Sequence, residues 1–305
     1  MDKLIIENLF KDEYNYEDKL GNGSYGKVYL VSSCKSGKNY ALKLLNSDIN
    51  IDSFNNEVQT MKKLNNQDSI LSIEDYGVKN EEYPYIVSDY QNGGDILGFI
   101  KERNSIDETV AIEILTSMLD ALEFAHSKDI LHKDIKPENI FVHKINNSYH
   151  YCLGDWGLSN IKTNSSHTTM KGTIDYMPPE LCKAKAKRYK SSDIYSLGAT
   201  FYYMVFGKKV YGIDDDTETM SIPELHKYEK LIIPPCSAKI EAIISKMLEK
   251  DPQKRATIDE IRQLLKDDVR QSFEMGSINL EIDDNAISNL PEVNQQSLRE
   301  LYTWY

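Results

Sequence analysis

A glycine-rich segment that leads into strand, not helix, is the feature that most limits how this chain folds. LGNGSYGKVYL carries Gly21, Gly23 and Gly26 and continues into the alternating KVYLVSS. Glycines let backbone amides approach phosphate oxygens closely. Alone, the spacing is weak evidence, because a glycine-rich hairpin has the same composition. A dinucleotide-binding unit needs strand, glycines and then helix. The order here excludes that unit and favours a flap between two antiparallel strands. A second alternating segment, NYALKLL, sets Lys43 among apolar residues. A lysine there is costly unless it is paired or working. Glu57, on the helical stretch that follows, is the expected counter-charge. A solvent-facing strand lysine is the plain alternative.

From about Tyr14 to Tyr90 the pattern is mainly strand-like, with CKSGK as a turn. Phe54, Val58, Met61 and Leu64 recur at helical spacing and predict a helix from Asp52 to Leu64. After QNGGD the character changes, and residues 105–127, 191–207 and 238–250 read as helices. TIDEIRQLLKD places Glu260 three residues after Thr257, a capping-box signature. A small β-rich half therefore precedes a larger helical half. The two glycines of Gln91–Gly94 would let that join act as a hinge. The expected divisions are a leader over 1–13, a β-rich unit over 14–90, a join and helical unit over 91–268, and a tail over 269–305. The tail is acidic and polar and ends in SLRELYTWY. A docking helix, set on the rest of the chain or on a partner, and a disordered end both stay open. Trp304 and Tyr305 favour docking, since exposed large aromatics usually mark contacts.

With 305 residues, 40% of them hydrophobic, the chain can form one large domain or two lobes sharing a cleft. Its formal net charge of −12 argues against non-specific nucleic-acid binding and is compatible with a basic peptide partner. The four cysteines form no CxxC pair and read as reduced thiols of a cytosolic or nuclear protein. No apolar run approaches the ~18 residues of a membrane span, so no membrane association is expected. The first residues are too acidic and too briefly apolar for a secretory signal.

ILHKDIKPENIFV is the most informative stretch. It holds Asp134, Lys136 and Asn139 close together, and Pro137 keeps them out of an ordinary helix interior. Apolar flanks, Ile130 and Leu131 before and Ile140, Phe141 and Val142 after, fix the polar groups on a loop. LGDWGLS then supplies Asp155. A carboxylate and an amide oxygen suit Mg²⁺, a hard ion that takes oxygen ligands.

In this order, the motifs resemble those of eukaryotic-type protein kinases, across about residues 14–268. The resemblance implies an α+β bilobal fold: a small β-rich N-lobe with one regulatory helix, and a larger, mainly helical C-lobe. It implies transfer of the γ-phosphoryl group of Mg-ATP to Ser/Thr hydroxyls of protein substrates. Leu20, Gly21, Asn22, Gly23, Ser24 and Gly26 would then cover the ATP phosphates. Lys43 would hold the α- and β-phosphates, with Glu57 as its partner. Asp134 would be the catalytic base, Lys136 would neutralise the transferred group, and Asn139 and Asp155 would hold Mg²⁺. Val28, Ala41 and Phe141 would wall the adenine, which Asp89 and Gln91 would meet through backbone groups. Ser88 falls at the gatekeeper position and would leave a pocket behind the base. Asp95 would take the ribose, a basic residue of the substrate, or both.

Structural roles follow from the same resemblance. Glu180 would pair with Arg255, and Asp193 would hold the backbone of the catalytic loop. Three positions depart from the pattern: Lys133 stands for the usual Arg, Trp156 for the usual Phe, and MPPE for Ala-Pro-Glu. Trp156 is larger than Phe and carries an N–H, so an outward swing of its segment is expected to be harder. Lys136 in DIKPEN and Gly172-Thr173 favour Ser/Thr over Tyr as target. Thr169 matches the primary phosphorylation position, where phosphate would order the loop through Lys133; a polar loop that never carries phosphate is the plain alternative. Asp95, Glu138 and Glu229 match acidic positions that bind arginine ahead of the target, against the alternative of a solvated acidic face. The activation segment resembles the Aurora group over a short stretch. A pseudokinase scaffold or binding module with the same fold is the alternative function. The presence of the lysine, the base and both metal ligands favours an active enzyme. A small-molecule kinase is disfavoured, because GTIDYMPPE is not needed for such substrates.

Overall fold

The computed structural model describes residues 2–23, 26–103, 105–156, 173–182, 187–211 and 222–266. The chain divides into Met1–Asp267 and a second unit, Asp268–Tyr305. The expected tail docking, Ser24, Gly172 and Thr169 all lie outside the described residues. Among the described residues no helix is long and apolar enough to cross a membrane.

The first half is a five-stranded antiparallel sheet: β1 (Tyr14–Gly23), β2 (Gly26–Ser33), β3 (Asn39–Leu45), β4 (Ile73–Lys79) and β5 (Tyr83–Asp89), in the order β1-β2-β3-β5-β4. Strand period two divides its residues between two faces. Tyr29, Val31, Tyr40, Leu42, Tyr85 and Val87 are buried on the outer face. A helix covers them: α1 (Asp2–Leu9) packs Ile6, with Phe10 just beyond it, into this cluster, and both are fully buried. The segment expected as a leader is thus the lid of the sheet. Because Leu42 and Leu44 go to that lid, Ala41 and Lys43 must face the other way, into the cleft. At the glycine flap, Gly26 passes so close to β3 that a Cβ there would lie 2.1 Å from the Leu44 carbonyl oxygen.

α2 (Ile51–Lys62) is N-capped by the Asn50 side chain, which accepts from the Ser53 N–H at 2.9 Å, and buries Phe54, Val58 and Met61. The helical half contains α3 (Ile96–Arg103), α4 (Glu108–Ser127), α5 (Lys190–Phe206), α6 (Ile222–Tyr228), α7 (Ala238–Met247) and α8 (Ile258–Lys266). It also holds a hairpin of β6 (Ile140–Ile145) and β7 (Ser148–Leu153). α5 is buried on nearly all sides, which makes it the post around which the others pack. The Thr257–Glu260 capping box forms in both directions: the Thr257 N–H donates to Glu260 at 2.8 Å, and the Glu260 N–H donates to Thr257 Oγ1 at 3.3 Å. Lysine and arginine side chains tie the helices further, as where Arg262 of α8 reaches Asp120 of α4 at 2.6 Å.

The join near Gln91 is stitched to β6. The Gly93 N–H donates to the Val142 carbonyl, and the Val142 N–H donates to the Gly94 carbonyl, both at 2.9 Å. A Cβ at Gly93 would lie 2.8 Å from the Val142 oxygen. Close approach, rather than free hinging, accounts for this glycine.

Candidate active site

The catalytic loop is fixed from beneath by α5. Asp193 is buried and accepts from the backbone N–H groups of His132 at 3.0 Å and Lys133 at 2.9 Å. Its Oδ2 also meets His126 Nε2 at 2.9 Å. Burial without matching charge would be costly, and these three contacts satisfy the carboxylate. The anticipated support of the loop by Asp193 is present.

His132 links this loop to the segment carrying Asp155. Burial pushes its pKa down. Its Nε2 then donates to the Gly154 carbonyl at 2.8 Å, and its Nδ1 accepts from the Asp134 N–H at 3.3 Å. Trp156 packs edge-on against the ring, with centroids 4.5 Å apart. The Trp156 indole N–H donates to the Leu153 carbonyl at 2.8 Å, and the side chain is buried. A phenylalanine has no such donor.

Asp134, Lys136 and Asn139 converge as expected from their spacing. Pro137–Asn139 form a single tight turn, which folds Asn139 back under Asp134. Lys136 Nζ donates to Asp134 Oδ2 at 2.7 Å. Asn139 Nδ2 donates to the Asp134 carbonyl at 2.7 Å, which leaves its Oδ1 for a cation. Asp134 Oδ1 is buried and has no partner among the described residues. A buried acceptor of that kind needs a donor to be satisfied.

Asp155 has a left-handed backbone, φ 57°, that turns its carboxylate toward the cleft. There its Oδ2 meets the Lys43 ammonium at 2.7 Å. This corrects the expected Lys43–Glu57 pair. The burial of Phe54, Val58 and Met61 sets the rotation of α2, and Glu57 borders a recess with Thr60, Leu64, Lys133 and Trp156. In this conformation Lys43 belongs to Asp155. The Asn139 and Asp155 oxygens are a donor set that fits a hard divalent cation.

The remaining candidates lie on β1, β2, β3, β5, β6 and the join that follows β5. Val28 pairs with Lys43 across β2 and β3, and Ala41 pairs with Ser88 across β3 and β5. Leu20, Gly21, Asn22 and Gly23 lie in β1 at the flap, with Leu20 exposed. Phe141 sits in β6 and bridges to Asp95. Behind Ser88 is a cavity of about 40 Å³, bordered by Lys43, Met61, Ile86, Asp155 and Trp156. Asp89 is tied through its side chain to Lys38 at 2.7 Å, and the Gln91 Nε2 donates to its carbonyl at 3.3 Å. Asp95 also caps α3, accepting from the Gly98 N–H at 2.8 Å. Glu138 Oε2 is buried, with no partner among the described residues. Glu229 lies beyond α6, where its carbonyl accepts from the Tyr211 hydroxyl at 3.2 Å.

Glu180 and Arg255 form the expected bridge, bidentate at 2.8 and 2.9 Å. Burial works against the Glu180 carboxylate, but the Arg255 guanidinium outweighs it and holds the pKa below the usual range. Sequence reasoning missed Arg188, whose Nη1 donates to the Lys133 carbonyl at 2.8 Å. The only signal was its place in the basic run KAKAKRYK ahead of α5.

Comparison with known proteins agrees with this arrangement. The chain is 27% identical to the serine/threonine-protein kinase PKH2 of Saccharomyces cerevisiae over 86% of its length, spanning 25% of that protein. It is 29% identical to an Aurora kinase of Eremothecium gossypii over 85% of its length, spanning 70% of that protein. It is 28% identical to the serine/threonine-protein kinase cds1 of Schizosaccharomyces pombe over 84% of its length, spanning 59% of that protein. Residues 14–266 match the protein kinase domain. Since that match covers most of its residues, the chain belongs to the protein kinase family.

Proposed function

We propose that this chain transfers the γ-phosphoryl group of ATP to serine and threonine hydroxyls of protein substrates, with Asp134 as the base. The observation that carries the reading is the state of Asp134. Lys136 and Asn139 hold one side of its carboxylate, while Oδ1 is buried and has no partner among the described residues. A substrate hydroxyl is the donor that this oxygen lacks, and the base needs to stand within hydrogen-bond reach of that proton. Lys136 is placed to follow the negative charge as the phosphoryl group moves. Lys43 faces the cleft from β3 and would meet the phosphates. Mg²⁺ held by Asn139 and Asp155 would supply charge neutralisation at the phosphate oxygens.

The same reading extends to substrate choice and switching. Glu138 is the middle residue of the loop turn, and its buried Oε2, without a partner among the described residues, supports recognition of an arginine or lysine ahead of the target residue. Phosphate on Thr169 would order the activation segment through Lys133, a weaker phosphate ligand than arginine.

The test is a positional peptide library phosphorylated by the purified chain with Mg-ATP, with Asp134→Asn as control. Transfer to Ser or Thr with a basic preference upstream is the expected result. Tyrosine-only transfer, or signal unchanged in the control, overturns the reading. Phosphosite mapping that found Thr169 always bare in active protein would remove the switching step. Nucleotide binding without transfer would favour the pseudokinase alternative.

A further inference from the structure

We propose that Arg188 is a positioning residue for the reaction, fixing the peptide unit that carries the base; this rests on the assignment of Asp134 as that base. Lys133 has a left-handed backbone, φ 73°, a conformation that a side-chain-bearing residue keeps only when its surroundings impose it. Those surroundings are specific. The Lys133 N–H is held by Asp193 Oδ1 at 2.9 Å. The Lys133 carbonyl accepts from Arg188 Nη1 at 2.8 Å. The N–H of the same peptide unit, that of Asp134, points to His132 Nδ1 at 3.3 Å. Both polar ends of the Lys133–Asp134 peptide are therefore tied to side chains.

Of the two ties, the arginine bond is the shorter, and it comes from the charged partner. Charge-assisted hydrogen bonds are the stronger kind. Rotation of this peptide would swing the Asp134 carboxylate away from the cleft, and the guanidinium opposes it. Arg188 also borders a small recess shared with Lys133, Asp134, Tyr176 and Met177, so it stands between the loop and the segment that follows residue 172. Half-buried there, it faces the carboxylates of Asp193 and Asp134. Its planar fork of donors suits this place, whereas a lysine offers a single point charge. Because Arg188 touches no reacting atom, its effect falls on the rate of the chemical step and not on nucleotide binding.

The experiment is single-turnover phosphoryl transfer to a basic Ser/Thr peptide, using full-length Arg188→Met and Arg188→Lys. The amplitude reports the folded, nucleotide-competent fraction and the rate constant reports positioning. Arg188→Met is expected to lose about tenfold or more in rate constant, with ATP affinity within about twofold of wild type. Arg188→Lys is expected to lose about threefold, a partial rescue that tracks the remaining donor. If methionine does not fold, the lysine variant decides alone. Either variant with reduced amplitude but the wild-type rate constant shows a merely structural arginine and overturns the proposal. Asp134→Asn is run alongside. If it keeps the wild-type rate, the base assignment fails; if it is inactive while both Arg188 variants are unimpaired, only the Arg188 proposal fails.

Discussion

The Lys43 ammonium lies 2.7 Å from Oδ2 of Asp155, so the cation proposed to meet phosphate and the carboxylate proposed to hold metal neutralise each other directly. Both are only partly buried, at 14% and 32% exposure, and solvent screens the pair to roughly 0.5–1 kcal/mol. On the proposed roles, the nucleotide and its divalent cation compete with this pair. Asp155→Asn should therefore have two opposite effects. Phosphoryl transfer falls by about a hundredfold or more, because the proposed metal ligand is lost. Affinity for metal-free ATP, measured in EDTA, rises about two- to fivefold, because Lys43 is released from its partner. Weaker metal-free binding in the variant would contradict this account of the pair.

Phe10 makes a prediction about the lid of the sheet. It is fully buried and meets the Tyr85 ring edge-on at 4.8 Å, next to Ile6. Truncating a buried phenylalanine costs about 3–5 kcal/mol. Phe10→Ala should lower unfolding stability by that order and speed amide exchange in β2 and β3 ahead of α5. Unchanged exchange in those strands would mean that α1 is dispensable to the sheet.

Trp156 differs from phenylalanine by its bond to the Leu153 carbonyl at 2.8 Å. Trp156→Phe removes one of two donors to that carbonyl, which keeps the Leu71 N–H at 3.0 Å, at a cost of about 0.5–1.5 kcal/mol. The cost falls on the inward position of residue 156 alone. Ligands that occupy the space it vacates when it swings outward should bind the variant about 2–12-fold more tightly. Equal affinity for both proteins would show that the indole N–H does not restrain the segment.

What was legible in the sequence follows from what local pattern encodes. Thr257 and Glu260 announce their capping box because the spacing alone determines the contact. Asp134, Lys136 and Asn139 converge because one proline turn spans them. α1 was hidden because its anchors, Ile6 and Phe10, are few and their partners lie on β2, β3 and β5. Tertiary burial, not propensity, makes that helix. α3 was missed at eight residues, although Asp95 supplied an N-cap signal. The β6–β7 hairpin also had a signal, the Asn146-Asn147 turn, with Asn146 at φ 52°. The partner of Lys43 was not legible, since spacing gives residue types and not the rotation of α2. Arg188 was invisible for the same reason: one basic residue among several, selected only by where the chain carries it.

His226 supplies a pH prediction. Its Nδ1 meets the Tyr195 hydroxyl at 2.8 Å, and its ring packs edge-on against Tyr211 at 4.9 Å. Burial drives its pKa down to about 4, opposed by the Asp175 backbone and carboxylate and assisted by the Lys250 charge. In the unfolded chain the value returns to about 6.5. Between these values the unfolded state binds a proton that the folded state refuses. The contribution of this site to stability is therefore full above about pH 6.5 and is lost as the pH falls toward 4. Going from pH 7.5 to 5.0, the wild type should lose about 2 kcal/mol more than His226→Phe, whose side chain fills similar space without titrating. Denaturant unfolding at both pH values measures the difference. Equal losses in the two proteins would place the acid sensitivity of the fold elsewhere and would mean that His226 is protonated in the native state at pH 5.0.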